Sequence, residues 1–218
     1  MINLTKYMGF SIFYGIVFFF NILCLYYITD YIVVAKPMIM ASLIGFYIGV
    51  EKRQSHALIL AMIFALFGDV FLLFKDDIFF RIGLFCFLVM QILYTFVFVN
   101  DRSGNTKKLI KTALCIFLIT GIFLVYIWNG LGDLRIPVLV YSIAISVMVI
   151  SALNRRNTFP GYRAVVTGVL LFMISDTILA ISKFGSPFPL QHVLVISSYV
   201  AAQFLIVRGV VAGHENSV

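Results

Sequence analysis

Apolar residues run almost without interruption through this chain, and polar residues are concentrated in narrow breaks between the runs. Each run is close to the roughly 20 residues that a helix needs to cross a bilayer. None shows the alternation in polarity that barrel strands show over about ten residues. The pattern therefore predicts eight transmembrane helices, at residues 8–28, 31–50, 56–74, 78–99, 108–128, 134–153, 161–182 and 189–211.

The breaks between the runs have the composition of turns. They include the stretches "EKRQSH", "KDD", "DRSGNTKK", "NRRNTFPG" and "KFGSPFP", which are rich in charge, glycine and proline. No break is long enough to hold a second domain. We therefore expect an all-α integral membrane protein in which residues 1–218 form a single transmembrane domain, with the eight helices in one bundle.

Composition supports a membrane location. Hydrophobic residues make up 62% of the chain and charged residues 11%, whereas a soluble domain carries about 25% charged residues. The net charge of +7 comes from short loops rather than from a basic aromatic stripe, so we expect membrane lipids as surroundings and no nucleic acid partner. Cys24, Cys86 and Cys115 lie in apolar stretches without CxxC spacing, so we expect them to be small buried side chains, with no disulfide, no metal site and no cofactor.

Basic residues are distributed unequally between the two ends of the predicted helices. The side that holds both termini carries eleven, namely Lys6, Lys52, Arg53, Arg102, Lys107, Lys108, Lys111, Arg155, Arg156, Arg163 and Arg208. The other side carries five, namely Lys36, Lys75, Arg81, Arg135 and Lys183. Because cytoplasmic loops carry the excess of Lys and Arg, this count predicts that both termini are cytoplasmic. We expect the membrane to be a bacterial inner membrane.

Two aspartates stand inside apolar runs, in "GDVFLLFK" and "SDTILAISK". Asp69 is six residues before Lys75 and Asp176 is seven before Lys183, which places both about 9 to 10 Å inside the outer ends of their helices. An even number of helices separates them, so the two segments run in the same direction. A charged group within a span is costly and usually marks a functional site, although each acid would also serve as a bond between helices.

The surroundings of the two acids are also alike. Each follows a small residue, Gly68 or Ser175, and each is followed three positions later by a leucine. This similarity is compatible with a parallel four-plus-four pseudo-repeat, as in some transporters, but it is too short to establish one.

Other polar side chains fall at a compatible depth, and we expect them to line a polar pocket with the two acids. Each also has a structural interpretation, since tyrosines form interfacial belts, amides tie helices together and lysines extend to the surface. The candidates for substrate binding are Asn21, Lys36, Gln91, Tyr94, Tyr141, Lys183, Tyr199 and Gln203.

Two carboxyl groups close together in an apolar pocket tend to share one proton, which supplies an acid and a base in one place. Such a pair suits acid-catalysed hydrolysis through an oxocarbenium-like state, without metal or covalent intermediate. No GxSxG, HExxH, P-loop or CxxC motif offers a competing chemistry. The sequence thus indicates Asp69 and Asp176 as candidate catalytic residues.

Several segments, in order along nearly the whole chain, resemble the YhhN-like lysoplasmalogenase family. The most specific is "LLFMISDTILAISKF" in the seventh helix, and "FALFGDVFLL" and "GLFCFLVMQILY" belong to the same pattern. Shorter matches are "AKPMIM", "VYSIAISVM" and "SYVAAQFLI". Gln91 departs from the pattern, because the family is expected to have a histidine there.

The resemblance implies an enzyme that hydrolyses the vinyl ether bond of lysoplasmalogens, releasing a fatty aldehyde and a glycerophosphoethanolamine or glycerophosphocholine. One aspartate of the pair would protonate the alkene and the other would stabilise the cation and orient water. Lys36 and Lys183 are expected to hold the phosphate, and the remaining candidates to bond the glycerol, the water or the acids. Headgroup preference and oligomeric state are left open.

Two other functions use paired membrane aspartates. An intramembrane aspartyl protease is disfavoured, because "LFGDVF" lacks the first glycine of GxGD and the chain has no partner YD or PAL motif. A proton-coupled transporter is the main alternative, with Pro37, Gly45 and Gly49 as hinges. Aldehyde release in detergent without a gradient distinguishes the enzyme from the transporter.

Overall fold

The computed structural model describes residues 4–51, 54–74, 76–100 and 102–215. Within these ranges it contains eight α-helices and no β-strand, which confirms the all-α prediction. The helices are α1 (Leu4–Tyr26), α2 (Ile32–Val50), α3 (His56–Phe71), α4 (Asp77–Val99), α5 (Thr106–Ile127), α6 (Arg135–Leu153), α7 (Tyr162–Phe184) and α8 (Gln191–Glu215).

Seven of these helices are long and apolar enough to cross a membrane, and α3 is the shorter one. With 16 residues, α3 is about 24 Å long, less than the roughly 30 Å of a bilayer core. The sequence predicted that this helix continues to residue 74. It ends at Phe71 instead, because the next N–H groups turn to carbonyls only three positions back: Leu73 donates to Val70 and Phe74 to Phe71.

The exposed surface of the helices is apolar. Leu114, Val125 and Ile136 each expose more than 70% of their side chains, and large aliphatic and aromatic residues are exposed on the other helices as well. Such a surface is unfavourable in water, but it matches the hydrocarbon of a bilayer. The protein is therefore an integral membrane helix bundle. Of the three cysteines, Cys24 and Cys86 are buried as predicted, whereas Cys115 is exposed on this apolar surface.

By packing, the chain divides into two compact units, residues Met1–Phe87 and Leu88–Val218. The boundary lies inside α4. The predictions of a single domain and of a four-plus-four repeat are not tested by this division and remain predictions.

In the first unit, α1, α2 and α3 pack in chain order, and α3 meets the first half of α4. The rings of Phe10 on α1 and Phe46 on α2 stack at 3.9 Å. Gly68 lies under the Phe87 ring, where an added Cβ would come within 2.7 Å of a ring carbon. The small residue before Asp69 is therefore required for the close approach of α4.

In the second unit, α7 and α8 are antiparallel and their backbones touch. An added Cβ at Gly168 would lie 2.9 Å from the Ala202 carbonyl oxygen, and one at Gly209 would lie 2.8 Å from the Gly161 carbonyl oxygen. Small residues permit such contacts between membrane helices, where dispersion forces and interhelical hydrogen bonds stabilise the pair. This contact fixes the helix that carries Asp176.

Gly168→Ala is expected to destabilise the protein by about 1–3 kcal/mol, because the new methyl group meets backbone atoms that cannot rotate away. Thermal unfolding in detergent measures the effect. Gly121→Ala on α5 is the matched control, since an added Cβ there has no neighbour within 4 Å. Equal melting temperatures for the two variants would contradict the close contact between α7 and α8.

Candidate active site

Asp176 lies on α7 and receives a hydrogen bond from α6. The Tyr141 hydroxyl donates to its Oδ2 at 2.5 Å. The preceding Ser175 is buried and its hydroxyl donates to the Val195 carbonyl on α8 at 2.9 Å. Because successive helical side chains point about 100° apart, the serine ties α7 to α8 while the aspartate faces α6. The sequence identified Ser175 only as a small residue and missed this bond.

Gln91 on α4 is fully buried and its amide faces the Tyr141 hydroxyl. Neither its Oε1 nor its Nε2 meets hydrogen-bond geometry with any residue that the structure describes. An unsatisfied buried amide costs about 1–3 kcal/mol, so this side chain is suited to bind a polar atom of a ligand or a water molecule. Gln91, Tyr141 and Asp176 thus form one polar cluster.

A second polar group joins α4 to α8. The Tyr94 hydroxyl donates to Gln203 Oε1 at 2.6 Å, and Gln203 Nε2 donates to the Met90 sulfur at 3.5 Å. All three residues are fully buried. Tyr199, one turn before Gln203, is buried and packs beside the Phe172 ring. The amide and the hydroxyl satisfy each other, so they contribute to packing. Substrate binding by Tyr94, Tyr199 and Gln203 remains a prediction.

In the first unit, Asn21 and Lys36 lie where α1 meets α2. Asn21 is fully buried, and its Nδ2 donates to the Ala35 carbonyl at 2.7 Å and to the Val17 carbonyl at 2.9 Å. Its Oδ1 has no hydrogen-bond partner in the described ranges. The amide therefore holds α1 against α2 next to Lys36.

Lys36 is half-buried and interacts electrostatically with Asp69. Asp69 itself is almost fully buried in the last turn of α3. The sequence treated the two as separate site residues and did not predict their interaction. The predicted equal depth of the two acids was measured from Lys75, which lies outside the described residues, so that prediction is not tested.

The structure thus brings the predicted site residues together in groups within each unit. Lys36 and Asp69 interact in the first unit, and Gln91, Tyr141 and Asp176 cluster in the second. Lys183 is exposed in the last turn of α7. No cluster of three or more His, Cys, Asp or Glu side chains suited to a metal ion occurs among the described residues. The combined action of Asp69 and Asp176 remains a prediction.

Known proteins that are similar to this chain include lysoplasmalogenases of mammals and of a mycobacterium. Lysoplasmalogenase TMEM86A of Bos taurus is 26% identical over 194 residues, covering 81% of this chain and 73% of the relative. Lysoplasmalogenase TMEM86B of Sus scrofa is 28% identical over 173 residues, covering 78% of this chain and 71% of the relative. A lysoplasmalogenase of Mycobacterium bovis is 29% identical, over 62% of this chain and 52% of the relative.

No solved structure shows significant similarity to the chain. The profile of the YhhN family matches residues 31–210, a range that includes every candidate site residue except Asn21. The chain therefore belongs to the YhhN family.

Proposed function

We propose that this protein is a lysoplasmalogenase, a membrane hydrolase that cleaves the vinyl ether bond of a lysophospholipid. The names of its relatives support the substrate class. One observation supports the reaction type: the Tyr141 hydroxyl donates a hydrogen bond to the Asp176 carboxyl between apolar helices. A positioned carboxyl of this kind is what acid-catalysed cleavage requires.

The reaction needs one proton and one water molecule. Transfer of a proton to the alkene carbon distant from the ether oxygen converts the vinyl ether to an oxocarbenium ion. Water adds to the carbon next to oxygen and loses a proton, which gives a hemiacetal and restores the acid. The hemiacetal then breaks its bond to the glycerol oxygen, releasing a fatty aldehyde and the glycerophospho-headgroup.

Asp176 is our candidate for the acid. Tyr141 occupies its Oδ2, which leaves Oδ1 to carry the transferred proton. A carboxyl group in a membrane span is less costly when protonated than when charged, unless a cation accompanies it. We assign Asp69 the opposite role, because Lys36 stabilises a negative charge there. As an anion, Asp69 would stabilise the oxocarbenium ion.

Gln91 is our candidate for binding the attacking water. Its amide has both donors and an acceptor available and faces Tyr141. Lys183 would bind the phosphate, while phenylalanine-rich helix surfaces take the alkyl chain. Phosphate binding by Lys36 and glycerol binding by Asn21 remain predictions. The count of basic residues supports cytoplasmic termini, and we place the protein in a bacterial inner membrane as part of this proposal.

Asp176→Asn and Asp69→Asn are each expected to lower kcat for aldehyde release from lysoplasmenylethanolamine by about 10²–10⁴, because an amide cannot transfer the proton or balance the cation. Purified protein in detergent and an aldehyde assay measure this. Asp30→Asn, at an exposed acid outside the cluster, is the control and should keep full activity. Undiminished release by a folded Asp69 or Asp176 variant refutes the acid pair.

No aldehyde from the wild type, together with acid-linked lipid uptake in vesicles, supports a transporter.

Gln91→Leu is expected to lower kcat by about tenfold or more and leave KM nearly unchanged, because it removes an interaction with water rather than with the lipid. Thr120→Val is the matched control, since Thr120 is also buried and polar but bonds Ser146 away from the cluster. If Gln91→Leu raises KM while kcat is preserved, the amide binds the lipid instead.

A further inference from the structure

One end of the α6–α7 pair carries two cations that border the same turn. Arg135 is the first residue of α6, and its guanidinium lies over the Trp128 ring at 5.4 Å. Gly130, in the same turn as Trp128, contacts the backbone of Phe184, the residue after Lys183. Arg135 and Lys183 are therefore neighbours of one turn, although they are 48 positions apart in sequence.

Arg135 is available to a ligand. Its side chain is exposed, and it makes no hydrogen bond or ion pair with a residue that the structure describes. Asp133, two positions earlier, is exposed as well. The cation–π contact with Trp128 limits the orientations of the guanidinium, which lowers the entropy lost when it binds an anion.

Both cations lie at a similar depth along their helices relative to the candidate acid. Arg135 precedes Tyr141 by six residues, or about 9 Å along α6. Lys183 follows Asp176 by seven residues, or about 10 Å along α7. The Tyr141–Asp176 hydrogen bond joins α6 and α7, so the separations along the two helices are measured from the same depth.

This separation matches the dimensions of a lysoplasmalogen. Seven bonds connect the alkene carbon that accepts the proton to the phosphorus atom. An extended chain advances about 1.2 Å per bond, which gives about 8 Å. The phosphate oxygens extend slightly further, so a lipid with its alkene at Asp176 has its phosphate at the level of the two cations.

We propose that Arg135 and Lys183 form the binding site for the substrate's phosphodiester, and that their distance from Asp176 selects vinyl ethers on a phosphorylated glycerol. This inference rests on the proposed function and adds the specificity of the same site. Arg135 is the principal anchor, since a guanidinium binds phosphate with two parallel hydrogen bonds. A 1-alkenylglycerol, which lacks the phosphate, is then a poor substrate.

The catalytic test compares lysoplasmenylethanolamine with a 1-alkenylglycerol of the same chain length. Wild-type kcat/KM is expected to be at least about tenfold higher for the phospholipid. Arg135→Gln and Lys183→Gln should each reduce that ratio through KM, with little change for the alkenylglycerol. Arg163→Gln, at an exposed cation on the first turns of α7 at the opposite end, should keep it.

The binding test does not depend on turnover, because Trp128 is the only tryptophan in the chain. Titration with a 1-O-alkyl lysophosphatidylethanolamine, which has no vinyl ether, should change the Trp128 fluorescence and saturate. The 1-O-alkylglycerol should bind at least about tenfold more weakly, and Arg135→Gln should abolish the difference.

The two tests separate the proposals. If the wild type releases no aldehyde from either lipid, the proposed function fails, while the fluorescence titration still decides the phosphate site. Equal affinities for the two alkyl lipids, or full discrimination by the Arg135→Gln and Lys183→Gln double variant, overturn the phosphate site.

Discussion

The hydrocarbon around the helices is the constraint that produces the hydrogen bond from Tyr141 to Asp176. In a bilayer a polar side chain has no water to bond, so it must face another helix or a ligand. Tyr141 and Asp176 meet in this way between α6 and α7, and Tyr94 and Gln203 between α4 and α8. The second pair satisfies itself. In the first pair, one carboxyl oxygen of Asp176 is not used by Tyr141, and the buried Gln91 amide faces the Tyr141 hydroxyl.

The position of Asp176 also depends on how α7 and α8 pack. Their backbones approach at Gly168 and Gly209, and the Ser175 hydroxyl bonds the α8 backbone. These contacts set the rotation of α7 about its axis, so that Asp176 points to α6 rather than to lipid. Glycines and a serine that take no part in chemistry thereby position the group that does.

The sequence predicted eight helices, their approximate bounds and the polar residues within them, because hydrophobic runs and the cost of intramembrane charge are local properties. It did not predict which polar groups pair, since that depends on the rotation and depth of each helix. Gln91 and Gln203 look equivalent in sequence, yet one is bonded by a tyrosine and the other meets no partner among the described residues. The end of α3 was placed too late because Leu72–Phe74 are apolar although they form a turn.

The proposed function depends on one step, in which Asp176 delivers a proton to the alkene carbon of a vinyl ether. The most direct measurement is turnover of lysoplasmenylethanolamine in D₂O, with the aldehyde reduced immediately by borohydride and analysed by mass spectrometry. Proton transfer from Asp176 predicts one deuterium on the carbon next to the former aldehyde carbon, and loss of that labelled product in Asp176→Asn. Unlabelled aldehyde, or labelled aldehyde formed at the wild-type rate by the variant, would contradict it.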